Sequence, residues 1–209
     1  MISLNHMKII PKENLPGFSL PMPIYSAVRV ADAIAQDGEE FDINVGLEKK
    51  YIEQLKKLSL DKSDTDLQNH TGDRARFGEG SYEHWYERGR TPFCLINKRS
   101  DALASLVWFG PKPLGEKSIK FRKDREYEKQ NVWHTISCRS YSPFRGKRNM
   151  GEFTKFAIDV YKKHFPNIKI WAGTDDRNIA MVKLVKEIGF EFNQEYSDLP
   201  EHWLVTVRK

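Results

Sequence analysis

The segment Pro143-Phe144-Arg145-Gly146-Lys147-Arg148-Asn149-Met150-Gly151 places two glycines and three cations directly ahead of a stretch with helical periodicity. Where a strand turns into a helix, the unpaired backbone N–H groups of the first helical turn point outward and the helix dipole adds partial positive charge. Such a turn suits an anion, phosphate above all. Arg145, Lys147 and Arg148 would add full charges to it. The pattern is short, and an ordinary tight turn with solvated cations satisfies it as well.

The flanking elements are consistent with such a turn. Val132 to Tyr141 reads as a strand, and the helix after the loop carries Phe153, Phe156, Ala157, Val160 and Tyr161 as a continuous apolar stripe that ends near Phe165-Pro166. Ile168 to Thr174 is a buried-type strand. A second amphipathic helix follows, with Met181, Leu184, Val185 and Ile188 on one face and Gly189 at its C′ position, and Val205 to Arg208 closes the chain as a strand. Upstream, Phe93 to Asn97 and Ala102 to Phe109 form a hairpin across the charged turn Lys98 to Asp101. The amino-terminal third shows a helix over Gly46 to Leu60 and a short helical piece over Tyr82 to Tyr86. Between them Asp61 to Gly80 reads as a long polar loop that groups His70, Asp73, Arg74 and Arg76. Asp175 and Asp176 suit the start of the second helix. A hairpin followed by a strand, helix, strand, helix series gives an α/β fold with a mixed sheet containing a right-handed parallel crossover.

The chain has 209 residues, enough for one domain of ordinary size at roughly 150 residues per domain. With 39% hydrophobic residues, 30% charged residues and a mean hydropathy of −0.63, it reads as a wet-surfaced globular protein. Its most apolar stretch, Ala102 to Gly110, is far shorter than the roughly 20 residues that cross a bilayer, so no membrane partner is expected. Lys+Arg 34 against Asp+Glu 29 gives +5, which suits anionic ligands without demanding nucleic acid. Cys94 and Cys138 stand in apolar, strand-like settings outside any CxxC spacing, and no long apolar stretch opens the chain. Cytoplasmic localisation and no metal are the expectations.

The order strand, Pro-x-x-Arg-Gly-Lys loop, amphipathic helix, strand, then Asn178-x-x-Met181-x-x-Leu184-Val185-Lys186-Glu187-Ile188-Gly189-Phe190 resembles the GNAT superfamily of acyl-CoA-dependent N-acetyltransferases. The resemblance covers Pro92 to Lys209 and is most specific over Ser140 to Phe190. It implies a mixed, mostly antiparallel central sheet with a parallel, splayed strand pair and flanking helices. The chain would be a single domain, residues 1–91 supplying a strand, a helix and an acceptor-side loop, and 92–209 the hairpin and the acyl-CoA core. It implies acetyl-CoA as cosubstrate, with pantetheine in the splay and the pyrophosphate on the loop. The residues so assigned to the cofactor are Arg139, Ser140, Tyr141, Arg145, Gly146, Lys147, Arg148, Asn149, Met150, Gly151 and Asn178.

Two features depart from the family pattern, the loop and position 185. Arg148 replaces the central glycine and Met150 the final small residue, with Gly151 one position late. A side chain at position 148 is tolerable if its backbone avoids positive φ or the loop carries an extra residue. Val185 stands where many members place the tyrosine that protonates the departing thiolate. The implied reaction is direct attack of an amine on the thioester. His134, Glu79 and Glu83 are candidate bases, and Tyr141 and Tyr196 candidate acids, with the Tyr141 backbone N–H as an oxyanion donor. Arg74, Arg76, Glu79 and Glu83 are assigned to the acceptor. The acceptor is a small-molecule, peptide or protein amine, and a homodimer stays open. The alternatives are a non-catalytic acyl-CoA-binding relative and a nucleic-acid-binding protein using residues 112–129, where Phe121 and Tyr127 lie among cations but four acidic residues weaken the case.

Overall fold

Alternating apolar residues and charged turns set up a sheet that runs from one end of the chain to the other. The structure is a computed structural model that describes residues 6–13, 17–115 and 132–208. Among these the strands are β1 (Lys8–Pro11), β2 (Ala27–Ile34), β3 (Glu40–Gly46), β4 (Thr91–Asn97), β5 (Ala102–Pro111), β6 (Trp133–Ser140), β7 (Lys169–Asp175), β8 (Glu191–Phe192) and β9 (Trp203–Arg208). The helices are α1 (Lys49–Leu60), α2 (Thr65–His70), α3 (Tyr82–Tyr86), α4 (Met150–His164) and α5 (Ile179–Glu187), with a π-helical turn at Arg74–Gly78. The strands lie in the order β1-β2-β3-β4-β5-β6-β7-β9-β8. Pairings β1–β2, β2–β3, β3–β4, β7–β9 and β8–β9 are antiparallel, and β6–β7 is parallel. This is the mixed, mostly antiparallel sheet with flanking helices that the sequence implies. The parallel register covers Trp133 to Thr135 against Lys169 to Trp171.

The chain's contacts gather it into two compact units, one of Met1–Trp108 with Cys138–Ala157 and the other of Phe109–Ser137 with Ile158–Lys209. In the first unit β2 and β3 alternate as half-buried strands do: Phe41, Ile43 and Val45 point into the core, while Asp32 and Asp42 on the opposite register pair with Arg29 and Lys98. Helix α1 buries Tyr51, Leu55 and Ser59, a spacing of four that keeps one face inward. Ahead of it Gly46 ends β3 at φ +88, a left-handed conformation in which a Cβ would collide with the Ser26 carbonyl. In the second unit Trp171, Val205, Val207 and Leu114 form a core, and Tyr161 of α4 stacks on Phe109 at 4.3 Å.

Three amino-terminal strands are found where the sequence reading expects one, and the expected loop from Asp61 to Gly80 is largely helical, as α2 and the π-helical turn. The Asp37-Gly38 pair between β2 and β3 is the turn signal that marks the missed hairpin. Of the basic segment 112–129, only residues up to 115 fall within the described part, so Phe121 and Tyr127 lie outside it.

Candidate active site

β6 sends successive side chains to opposite faces. Cys138 lies toward α4, its Sγ 3.9 Å from Thr154 Oγ1, whereas Arg139 points to the face that carries Asp73 and Trp108. Tyr141, just past the strand, is fully buried among the charges of Asp73, Arg139 and Arg76. Its backbone N–H donates to the Ala104 carbonyl at 2.9 Å. That amide is committed to the sheet, which corrects its expected role as an oxyanion donor.

The loop into α4 is anchored by Phe144, which packs edge-on against Phe41 at 5.8 Å. Gly146 follows at φ +81, with open space around it. The three cations then divide. Arg145 forks onto Asp64 with contacts of 2.7 and 2.5 Å and donates from Nε to the Ser140 carbonyl at 3.0 Å. Asp64 is also the N-cap of α2, accepting from the Leu67 N–H at 3.0 Å, and the Arg145 guanidinium holds its carboxyl below the usual range against the effect of burial. Lys147 lies 2.9 Å from Glu39 and 3.1 Å from Asp37, the acids of the β2–β3 turn. Arg148 is exposed and has no ion pair among the described residues.

Of the two ways in which the sequence reading lets a side chain stand at position 148, avoidance of positive φ is not the one adopted. Arg148 sits at φ +58, the left-handed conformation that a glycine would take without strain. For an L-residue this costs roughly 1–2 kcal/mol. Next to it Asn149 is 3% exposed, and neither its carboxamide oxygen nor its nitrogen has a hydrogen-bond partner among the described residues. Met150 and Gly151 then open the 15-residue helix α4. An unpaired cation, a buried unpartnered amide and a helix amino terminus therefore occur at consecutive positions, a set of donors that fits an oxyanion. A cavity of about 240 Å³ beside the loop, lined by Asp61, Asp64, Asp66 and Arg145 among others, is too acidic for that purpose.

The acceptor-side residues separate into exposed and buried pairs. Arg74 bridges to Glu79 at 2.8 Å on the surface. Glu83 accepts from Ser81 Oγ at 2.6 Å and from the Tyr25 hydroxyl; these bonds lower its carboxyl to about 2, so it is a poor base near neutral pH. Arg76 instead turns inward, its Nη1 2.6 Å from Asp73 Oδ1. Arg139 grips the same carboxylate through Nε at 2.6 Å and Nη2 at 2.9 Å, so it serves a buried ion pair rather than the expected cofactor contact.

Five expectations fall in the second unit. His134 Nδ1 lies 2.7 Å from the Tyr161 hydroxyl, with Phe165 at 5.6 Å between ring centres, the setting of a packed core histidine. Tyr196 packs with the Trp171 cluster, so close to Gly115 that a Cβ there would lie 2.7 Å from its ring. Asn178 caps α5, its Oδ1 accepting from the Met181 N–H at 3.1 Å, so its side chain is taken up by the helix. Asp175 and Asp176 do not cap; they bind Arg177 and His202. Val185 is buried in α5, in keeping with an apolar position. Asp73, Trp108, Asp64 and the Asp37–Glu39 turn are the residues that sequence reasoning did not assign. The spacing of Asp73 and Arg76, three apart on a helical turn, and Asp64 ahead of α2 were the available signals.

No family model and no curated protein matches the sequence. Solved structures do. The GNAT domain of S. lividans PAT superposes with a TM-score of 0.60 at 11% identity, covering 85% of this chain and 94% of that one. This chain has the GNAT fold. Ribosomal-protein-S5-alanine acetyltransferase from Vibrio fischeri matches with a TM-score of 0.55 at 15% identity over 79% of this chain and 92% of its own. An aminoglycoside acetyltransferase solved with coenzyme A and kanamycin gives 0.58 at 13% identity over 80% and 94%. At these identities the GNAT fold is what is shared. Among the described residues no helix is long and apolar enough to cross a membrane, and no group of three or more potential metal ligands is found.

Proposed function

We propose that the protein transfers the acetyl group of acetyl-CoA to a primary amine, by direct attack in a ternary complex. The observation that supports this most is the start of α4, where Arg148 has no ion pair and the buried Asn149 amide no hydrogen-bond partner among the described residues, in a chain with the GNAT fold. Arg148, Asn149 and the N–H groups of Met150 and Gly151 would hold the pyrophosphate, with Gly146 keeping the approach open. Arg145 and Lys147, neutralised by Asp64 and by Asp37 with Glu39, shape the loop more than they contact the ligand.

The attacking amine must be neutral. An α-amine near pKa roughly 8 is partly neutral at pH 7, whereas a lysine near roughly 10.4 is not. Glu83 is too acidic to take the proton, Glu79 is engaged by Arg74, and His134 is taken up by Tyr161 and the aromatic core of its own unit. Deprotonation then falls to solvent, and kcat/KM should rise with pH up to the acceptor's own pKa. The thiol of coenzyme A, with a pKa near that of cysteine at roughly 8.5, is a fair leaving group. Its departure needs no side-chain acid, in keeping with Val185 at the family's acid position. The two acetyltransferases named above differ in acceptor, one named for a ribosomal protein's alanine and one for aminoglycosides, so the fold leaves the amine open.

The test is release of free thiol from acetyl-CoA in the presence of an amine panel, with mass spectrometry of the acetylated product. Amine-dependent release with a matching mass gain is expected. Release that never depends on the amine would overturn the reading.

A further inference from the structure

We infer that Arg76, Arg139, Trp108 and the Tyr141 hydroxyl form a recess that reads a carboxylate carried by the amine acceptor. The word acceptor rests on the acetyltransferase reading; the binding of a carboxylate does not.

The argument starts from Asp73, which is 0% exposed. A lone buried carboxylate is costly, and it is held by two guanidinium groups. They hold it differently. Arg139 applies its Nε/Nη2 edge to both carboxylate oxygens and gives Nη1 to the Cys138 carbonyl at 2.8 Å, so each of its nitrogens has an acceptor. Arg76 gives only Nη1. Its Nε/Nη2 edge, the same edge with which Arg139 grips Asp73, has no partner among the described residues, and its side chain is 30% exposed and so within reach from outside. Two arginines against one aspartate leave the cluster with a net charge of +1.

The surroundings make that charge selective. Both guanidinium groups lie over the Trp108 ring, Arg139 at 4.8 Å and Arg76 at 5.6 Å, and Arg76 also lies 5.6 Å from the Phe77 ring, so aromatic faces back them on one side. Fully buried beside them is the Tyr141 hydroxyl, which has no hydrogen-bond partner among the described residues. Burial pushes its phenol well above the ordinary value, so it stays a protonated donor. A buried donor without a partner is destabilising, and an oxygen that displaced the side chains covering it would relieve it. A carboxylate has the matching form: two coplanar oxygens for the two-donor edge of Arg76, a negative charge for the net +1, and lone pairs to spare for Tyr141. Asp73 is then the internal counter-ion that orients the arginines without cancelling them.

The test pairs amines that differ only at the carboxylate: L-alanine with L-alaninamide, L-phenylalanine with phenethylamine, and γ-aminobutyrate with its amide. Binding is measured by calorimetry with and without coenzyme A, and acetylation is followed separately. At least one carboxylate should bind or react about tenfold or more better than its partner. Arg76→Gln should remove that preference while leaving coenzyme A affinity near wild type, even though loss of an Asp73 partner lowers Tm, and Arg76→Lys, which keeps charge but loses the fork, should restore part of it. Tyr141→Phe removes no bond within the protein, so it should fold at least as stably as wild type while raising KM for the carboxylate acceptor with little change in kcat. No carboxylate preference in any pair, or equal loss for both members in Arg76→Gln, overturns the inference. A fall in kcat with unchanged KM in Tyr141→Phe also overturns it, by making Tyr141 the thiolate's acid. Carboxylate binding without acetyl transfer would instead sink the acetyltransferase reading and leave the recess standing.

Discussion

The loop entering α4 and the recess around Asp73 use the same residue types and distribute charge in opposite ways. In the loop each of two cations has its own acid: Arg145 has Asp64, Lys147 has the Asp37–Glu39 turn, and the third cation, Arg148, is held apart by its backbone conformation. In the recess two cations share one acid, and the surplus charge sits on the open edge of Arg76. A salt bridge can thus cancel a charge or aim it, and the count of partners decides which. Exposure decides the energetics: the Asp73 side chain is wholly buried, whereas Arg145 and Lys147 remain about a third exposed.

The largest expected effect breaks the recess. Asp73→Ala leaves two arginines without their counter-ion, and removing one partner of a buried pair costs about 3–5 kcal/mol, or a fall in Tm of roughly 6–20 °C at this size. Asp64→Ala removes a partly exposed pair and a helix cap, together about 1–2 kcal/mol. Thermal unfolding of the two variants side by side checks the contrast, and equal losses would erase it.

Next comes ligand affinity at the loop. Arg148→Ala should weaken acetyl-CoA about ten- to a hundredfold, the range of a hydrogen bond to a charged group, while Arg145→Ala, already neutralised by Asp64, should change it several-fold at most. The reverse order would mean that Asp64 releases Arg145 when the ligand arrives.

Arg148→Gly separates the side chain's charge from its backbone strain. Relief of the left-handed conformation should stabilise the fold by about 1 kcal/mol, or roughly 2–4 °C in Tm, while affinity falls as in the alanine variant. Tighter binding of acetyl-CoA by Arg148→Gly would make the side chain an obstruction.

The smallest effect is a pH dependence. The Asp64 carboxyl is held below its ordinary value of 3.8 by Arg145. Its contribution to stability is therefore present above about pH 4 and lost as pH falls through the lowered value. Acid unfolding curves of wild type and Asp64→Asn should converge below that point and separate above it.

What the sequence discloses follows from the range of the interactions. The strands and helices from Pro92 onward are legible because each is set by its own period: β4 and β5 by apolar runs, α4 by Phe153, Ala157 and Tyr161 on one face. The loop into α4 is legible for the same reason, since Gly146 and the start of α4 are local. The charge partners are not. Asp64 lies 81 residues before Arg145 and Asp73 lies 66 before Arg139, and no spacing rule links them. Hence Arg145 and Arg139 read as available cations until their acceptors are known. The amino-terminal strands are not legible because Arg29, Asp32, Asp42 and Asn44 on the outer face dilute the apolar pattern of β2 and β3.

The most direct test of the proposed function is the melting temperature of the full chain with saturating acetyl-CoA, coenzyme A, ATP or an oligonucleotide. A ligand at 100 times its dissociation constant adds about 2.7 kcal/mol. In a domain of this size that corresponds to roughly 5–11 °C. Acetyl-CoA and coenzyme A should each produce a shift of that order in wild type and a clearly smaller one in Arg148→Ala, with ATP and the oligonucleotide giving little. An unchanged Tm with both acetyl-CoA and coenzyme A would contradict the account.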